Sequence, residues 1–399
     1  MSAPEPATTI TLRAPSRRLL GVDAARGLAL IGMMAIHILP MLAADGSVDL
    51  AYRIASGRSA ALFAVLAGVG LALASGGTTP PRGRRLAAAA AGTLARGGVL
   101  LLVGLELGGL GSGVAVILVF YALLFVVAVP FLGLSAKVLL PLAAAWAVLA
   151  PMLSQAARPF MPTQSFASPA PPALADPADL LREVAVTGYY PVLTWTAYLL
   201  AGLGIGRLAL GNLRVQHTIL LAGAVLAVGA WLASWWLLHP GGGLQVLEAA
   251  GAPGTPLEGR DVETVVTTSF YGTTPTSTWW WLAVAAPHSG SPFDLLHTIG
   301  TSAVVLGAML LLARVAAPVL LPFAAIGSMT LTLYTLHVVL LATVLPRTVP
   351  DAFLWHVLIA VAVAVPWRGL VGRGPLEAVA AFASRSAAGL VTDRPAIRR

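Results

Sequence analysis

Asp23, Arg26 and His37 lie within "RLLGVDAARGLALIGMMAIHILP" (positions 18–40), a stretch apolar enough to sit in hydrocarbon. At 100° per residue on a helix, Arg26 falls about 60° and His37 about 40° from Asp23. An acid, a base and an imidazole therefore share one narrow stripe. At 1.5 Å rise per residue that stripe runs roughly 21 Å from Asp23 to His37. Ionisable side chains inside a span face protein or a wet cavity and mark functional pathways.

Further along, "SMTLTLYTLHVVLL" sets Thr330, Tyr334 and His337 within about 60° of one helix face. These groups could line the same cavity as His37. "FDLLHTIGTS" holds Asp294 and His297 at i,i+3, where a carboxylate can orient an imidazole and raise its basicity. His288 sits just upstream in "PHSG", and Arg58 opens another apolar stretch, placed to bind an anionic group or to snorkel. Arg96 and Glu106 share a third stretch but are too far apart along its axis to pair. Each group also has a plainer role: an i,i+3 ion pair for Asp23 and Arg26, interhelical bonds for Thr330 and Tyr334, simple solvation for His288.

The chain has no cysteine, which removes disulfides, thiolate metal sites and acyl-cysteine intermediates. No Walker A, dinucleotide fingerprint, H-E-x-x-H or G-x-S-x-G occurs. No tight ligand spacing supports a metal, and none is expected. The chemistry left is acid–base work by histidine with Arg and Tyr as electrostatic partners, and no tightly bound cofactor.

The elements that position these residues must be membrane helices. Of 399 residues 58% are hydrophobic and 10% charged, far below the quarter charged that a soluble domain carries. The apolar stretches reach about 20 residues, the length of spanning helices. The expectation is an all-α polytopic integral membrane bundle of about ten transmembrane helices, at 19–42, 57–75, 86–107, 112–131, 137–155, 190–210, 217–238, 294–314, 328–346 and 353–371. A short interfacial piece, Pro318 to Ile326, precedes the ninth and breaks at Gly327. The first apolar segment has no small-residue exit, so it reads as a retained helix rather than a cleaved leader.

Placing both termini in the cytoplasm puts 16 of the 24 Lys and Arg residues inside, five outside, and Arg26, Arg58 and Arg96 in the spans. That asymmetry points to a multi-pass protein of the inner (plasma) membrane. It also explains the net charge of +8 by anionic lipid, without nucleic acid. One transmembrane domain, 18–372, then lies between cytoplasmic tails at 1–17 and 373–399. Two long extracytoplasmic loops interrupt it: 156–189, Pro-rich and extended, and 239–293, whose Trp279, Trp280 and Trp281 suit the membrane interface. "FAVLAGVGLAL" and "AYLLAGLGIGRLAL" echo one another, as small residues for close helix packing or as a repeat.

Taken together, "RLLGVDAARGLALIGMM", "GRSAALFAVLAGVGLAL", "TGYYPVLTWTAYLLAGLGIGRL", "PHSGSPFD", "FAAIGSMTLTLYTLH" and "RGPLE" resemble the bacterial branch of the heparan-alpha-glucosaminide N-acetyltransferase-like membrane family, which overlaps the YeiB-type membrane proteins. The resemblance implies acyl transfer across a membrane. A cytoplasmic acetyl-CoA or other acyl-CoA, as co-substrate, donates to a hydroxyl or amine of a cell-envelope glycan or lipid. Arg18, Arg82, Arg84, Arg85 and Arg207 stand on the side from which CoA phosphates would come. In the lysosomal enzyme an essential histidine lies in the loop after the first span. Here that loop, "AADGSVDLAYRIASG", has none, so the role falls to His37 or His288. Export of a small amphiphilic solute through the same polar cavity is the alternative, and a non-catalytic membrane partner a third.

Overall fold

The structure, a computed structural model, describes residues 19–43, 47–253, 258–268 and 270–392. The expected N-terminal tail at 1–17, with Arg13 and Arg17, lies outside them, as do Arg18, Arg394, Arg398 and Arg399. The described residues form sixteen α-helices. The first eight are α1 (Leu20–Ile38), α2 (Leu50–Ala55), α3 (Arg58–Ala74), α4 (Gly83–Gly108), α5 (Leu118–Ala128), α6 (Ala136–Ala157), α7 (Pro177–Arg182) and α8 (Val192–Gly206). The rest are α9 (Leu213–Leu238), α10 (Gly243–Ala250), α11 (Val262–Thr267), α12 (Pro292–Val315), α13 (Ala317–Gly327), α14 (Thr330–Ala342), α15 (Ala352–Leu370) and α16 (Pro375–Thr392).

The protein is a polytopic helical membrane protein. Each of the ten expected spans falls on an apolar helix, yet length and composition qualify only seven to cross a bilayer, or eight if the bent pair α13–α14 counts as one. Leu118–Phe131 and Val192–Gly206 are apolar but shorter. The break at Gly327 is where the sequence puts it, and α13 and α14 meet there at 67°.

Burial orders the bundle. In the apolar windows of α1 and of α2–α3, 67% of residues are buried, against 28% in α4, α6 and α9. Lipid supplies no hydrophobic drive between helices, so close packing must hold the inner ones together. Glycine provides it at two crossings. A Cβ on Gly27 would sit 2.0 Å from the Phe323 carbonyl oxygen, and one on Gly327 would sit 1.7 Å from that of Asp23, so α1 and α13 meet backbone to backbone. The echoed segments make the second crossing: α3 and α8 pack together, with a Cβ on Gly68 falling 2.4 Å from the Leu199 oxygen and one on Gly202 2.0 Å from that of Val65. Small-residue packing accounts for the echo.

Both long loops are folded. The stretch 156–189 carries α7 and a π-turn at Glu183–Thr187, and buried Glu183 accepts from Ser165 Oγ at 3.0 Å; it is not simply extended. The second loop builds its own apolar cluster from Leu238, Leu247, Val265, Phe270, Trp281 and Val284. Trp281 is therefore no interface anchor. It is fully buried and donates to Ser277 Oγ at 3.0 Å, whereas Trp279 is exposed. The stretch expected as a C-terminal tail forms α16, packed along α4.

Candidate active site

His37 lies in the last turn of α1, and the chain turns away at Leu39 in an extended conformation. This leaves the imidazole in the wall of a cavity of about 240 Å³. The other polar walls come from distant parts of the sequence: His288 and Tyr190 from loops, Tyr334 from α14, Tyr52 from α2, and Arg347 from the turn before α15. The site exists only because the last helices fold back onto the first.

Behind His37 runs a chain of histidines. His37 Nδ1 lies 3.0 Å from His337 Nε2, and His337 Nδ1 lies 3.0 Å from His356 Nδ1. His356 Nε2 ends the chain 3.0 Å from the carbonyl oxygen of Leu345. The rings of His37 and His337 are nearly parallel, 15° apart, while His337 and His356 meet at 76°. His337 and His356 are buried. The ring nitrogens thus bond one another instead of converging on a point, and no metal-holding group of His, Asp and Glu occurs among the described residues.

The remaining walls differ in what they can offer. Tyr190 donates its proton to the Ala115 carbonyl at 3.0 Å. Tyr334 Oη instead accepts from Ile117 N–H at 3.4 Å, so its own O–H stays available to a ligand. Arg347 spends one nitrogen on the Gly113 carbonyl at 3.3 Å. His288 adopts a left-handed conformation (φ 58°) and packs edge-on to Tyr190, centroids 5.9 Å apart. Burial lowers the pKa of His288 from 6.5 to about 4, so it is neutral near pH 7.

His37, His288, Tyr334 and, through its bond to His37, His337 are therefore brought together. Asp294 and His297 do not form the expected dyad. Asp294 sits in the first turn of α12, where free backbone N–H groups attract a carboxylate. It accepts from Gly290 N at 3.0 Å, and its own N–H is capped by Ser291 Oγ at 3.0 Å. That arrangement holds the loop carrying His288. His297 instead faces Arg58, whose Nε and Nη2 lie 3.3 and 3.2 Å from its Nε2, while its Nδ1 lies 3.0 Å from the Ala227 carbonyl. Arg58 also donates to the Arg53 carbonyl at 2.6 Å. The pair braces α3 against α12.

Asp23 and Arg26 lie toward the opposite end of α1 from the cavity, joined at 3.4 Å, with Arg368 of α15 3.8 Å from the second Asp23 oxygen. Arg96 lies over the Phe125 ring, 6.0 Å from its centroid. Arg207 is buried, and both its terminal nitrogens are used: Nη1 reaches the Ala72 and Gly77 carbonyls at 2.8 and 2.9 Å, and Nη2 reaches Ser75 Oγ and the Leu132 carbonyl at 2.9 and 2.6 Å. Only Nε is left without a partner, and it is buried away from any phosphate arriving from solvent.

Several site residues escaped the reading of the sequence. His356 is the clearest, since a histidine inside "FLWHVLIAVAV" is itself an ionisable group in an apolar helix and warrants notice on that ground alone. Arg347 is one of the five outside charges, and Tyr190 stands in "TGYYPVL"; neither has a spacing that singles it out.

The sequence model of the heparan-alpha-glucosaminide N-acetyltransferase catalytic family matches residues 18–240, more than half of the chain. The chain belongs to this family. No curated protein matches it. The acetyltransferase match includes His37, Tyr52 and Tyr190 of the cavity and stops before His288, Tyr334, His337, Arg347 and His356.

Proposed function

We propose that this membrane protein transfers an acetyl or similar acyl group from acyl-CoA to an amine or hydroxyl of an envelope glycan or lipid, with His37 as general base. One observation carries this reading: the His37 ring lies in the cavity wall with its Nδ1 held by His337 at 3.0 Å. Held there, Nε2 can take the acceptor's proton. The acceptor's nitrogen or oxygen attacks the thioester carbonyl carbon, and negative charge gathers on the carbonyl oxygen. Tyr334 O–H is free to donate to that oxygen, and Arg347 lies on the same cavity. Collapse breaks the C–S bond, and the departing thiolate takes the proton back from His37 as CoA leaves. The acceptor class follows the family's name, the amine of a glucosaminide.

The excess of Lys and Arg on one side favours an N-terminus in the cytoplasm of a cell whose inner membrane holds the protein. The cavity is then extracytoplasmic and the Asp23 end of α1 faces the donor. Arg26 and Arg368 lie against Asp23 at that end and Arg96 interacts with Arg26, so among the described residues these three take the place of Arg207 as candidates for CoA phosphates.

Proteoliposomes carrying the full chain, with labelled acetyl-CoA on the face of the termini and glucosamine or a lipid extract on the other, test the proposal. Acetylated product is expected, and His37→Ala should lower its rate about 10²–10⁴-fold, the usual worth of a general base. The 67° break between α13 and α14 is the feature that favours a carrier, because discontinuous helices line many transport sites. Unmodified solute crossing the vesicle wall, with acetyl-CoA intact, would replace the enzymatic reading by that one.

A further inference from the structure

The histidine chain ends on a group that can only accept, and this directs every proton along it. The Leu345 carbonyl has no hydrogen to give, so His356 Nε2, 3.0 Å away, carries one. With the rings neutral, His356 Nδ1 is then bare and must be the acceptor from His337 Nδ1–H at 3.0 Å. His337 Nε2 is bare in turn and accepts from His37 Nδ1–H, again at 3.0 Å. The reverse order would set the lone pair of His356 Nε2 against that of the carbonyl oxygen. Neither His337 nor His356 is open to water that could relieve such a clash, the two being 1% and 2% exposed.

We infer that His337 and His356 are positioning residues that hold His37 in its Nδ1–H tautomer, so that Nε2, the ring nitrogen not engaged by His337, carries a lone pair. Neither residue lines the cavity. Their effect reaches the reacting atoms only through His37. The terminal carbonyl is itself fixed, since Leu345 N–H donates to the Leu340 carbonyl at 2.8 Å. The tautomer assignment stands on geometry alone; its catalytic consequence rests on the acyltransferase reading above. An Nε2–H tautomer of His37 would present a donor to the acceptor molecule and could not take its proton.

The test uses the full chain in nanodiscs with ¹⁵N-histidine, where protonated and bare ring nitrogens resonate far apart. The His37 signals are identified by their loss in His37→Asn. In the wild type His37 is expected to show protonated Nδ1 and bare Nε2. His356→Phe removes the acceptor and should shift His37 toward the Nε2–H form. His356→Gln keeps an oxygen to accept from His337 and an amide to donate to Leu345, and should retain the wild-type pattern. In the transfer assay, His356→Phe should lose about tenfold or more in kcat with the acceptor KM little changed, and His356→Gln should restore it. A wild-type His37 protonated on Nε2 overturns the inference whatever the activity. So does a His356→Phe protein whose His37 signals do not move. If His356→Phe does not fold, the wild-type and His356→Gln spectra decide alone. The expected tautomers in a protein that transfers no acyl group would leave the assignment standing and sink the enzymatic reading.

Discussion

Glu377 of α16 accepts from Thr332 twice, from its hydroxyl at 2.6 Å and from its backbone N–H at 3.2 Å. It also accepts from Leu331 N–H at 2.6 Å. The start of α14 carries no cap from its own preceding residue, so a carboxylate from the C-terminal helix supplies it. α14 is the helix that bears Tyr334 and His337, so the last described helix sets the angle of the site.

Removing that carboxylate should loosen α14. Glu377→Ala is expected to cost about 1–3 kcal/mol, as part-buried N–H groups lose a charged partner, while Glu377→Gln, which keeps an acceptor oxygen, should lose less. Thermal unfolding of the detergent-solubilised protein, followed by size-exclusion, reads the difference.

The backbone contact between α1 and α13 leaves no room for a methyl. Gly327→Ala should lower the yield of folded protein sharply, at a cost of about 1–3 kcal/mol or more, because the obstructing atom is the Asp23 carbonyl oxygen and not a flexible side chain. Gly98→Ala on α4, where the added atom meets nothing within 4 Å, is the matched control and should be neutral or slightly stabilising.

Arg207 joins the end of α8 to three carbonyls and a hydroxyl. A lysine cannot fork to reach them all. Arg207→Lys should therefore destabilise by about 1–3 kcal/mol through the carbonyls it strands. In protein that still folds, the KM for acyl-CoA should be unchanged; a raised KM there would return this arginine to the donor site.

For His288 the folded value, about 4, lies below the ordinary 6.5. Below pH 6.5 the unfolded chain binds a proton that the folded chain refuses, so stability falls as pH drops from 6.5 toward 4 and is unaffected above 6.5. His288→Asn, a residue that tolerates φ 58°, should flatten that acid limb in melts recorded between pH 4 and pH 7.

Much of this architecture could be read from the chain, and the reasons are local. Apolar length located ten of the helices, though only seven, or eight with the bent pair, are long and apolar enough to span, and Pro318 with Gly327 marked the break. Helical angles put Tyr334 and His337 on one face, which is how both meet His37. What failed was pairing by sequence distance. Asp294 and His297 are three apart, but the carboxylate turns back to the Gly290 N–H in the loop before α12, and Arg58, 239 positions away, claims the imidazole. The stripe from Asp23 to His37 is real as geometry on α1, yet its ends serve different neighbours, an ion-pair cluster and a cavity. Long-range contacts of this kind leave no periodic signal to read.

The 300 positions between His37 and its bonded partner His337 carry a temporal meaning. A ribosome releases the first helix long before the fourteenth exists, and His356 comes later still. Until those late segments are threaded and docked, the imidazole of the first has no neighbour to orient it. If His37 is the base proposed above, the nascent protein is inert during its own biogenesis, and a prematurely terminated copy would occupy the bilayer without the means to react.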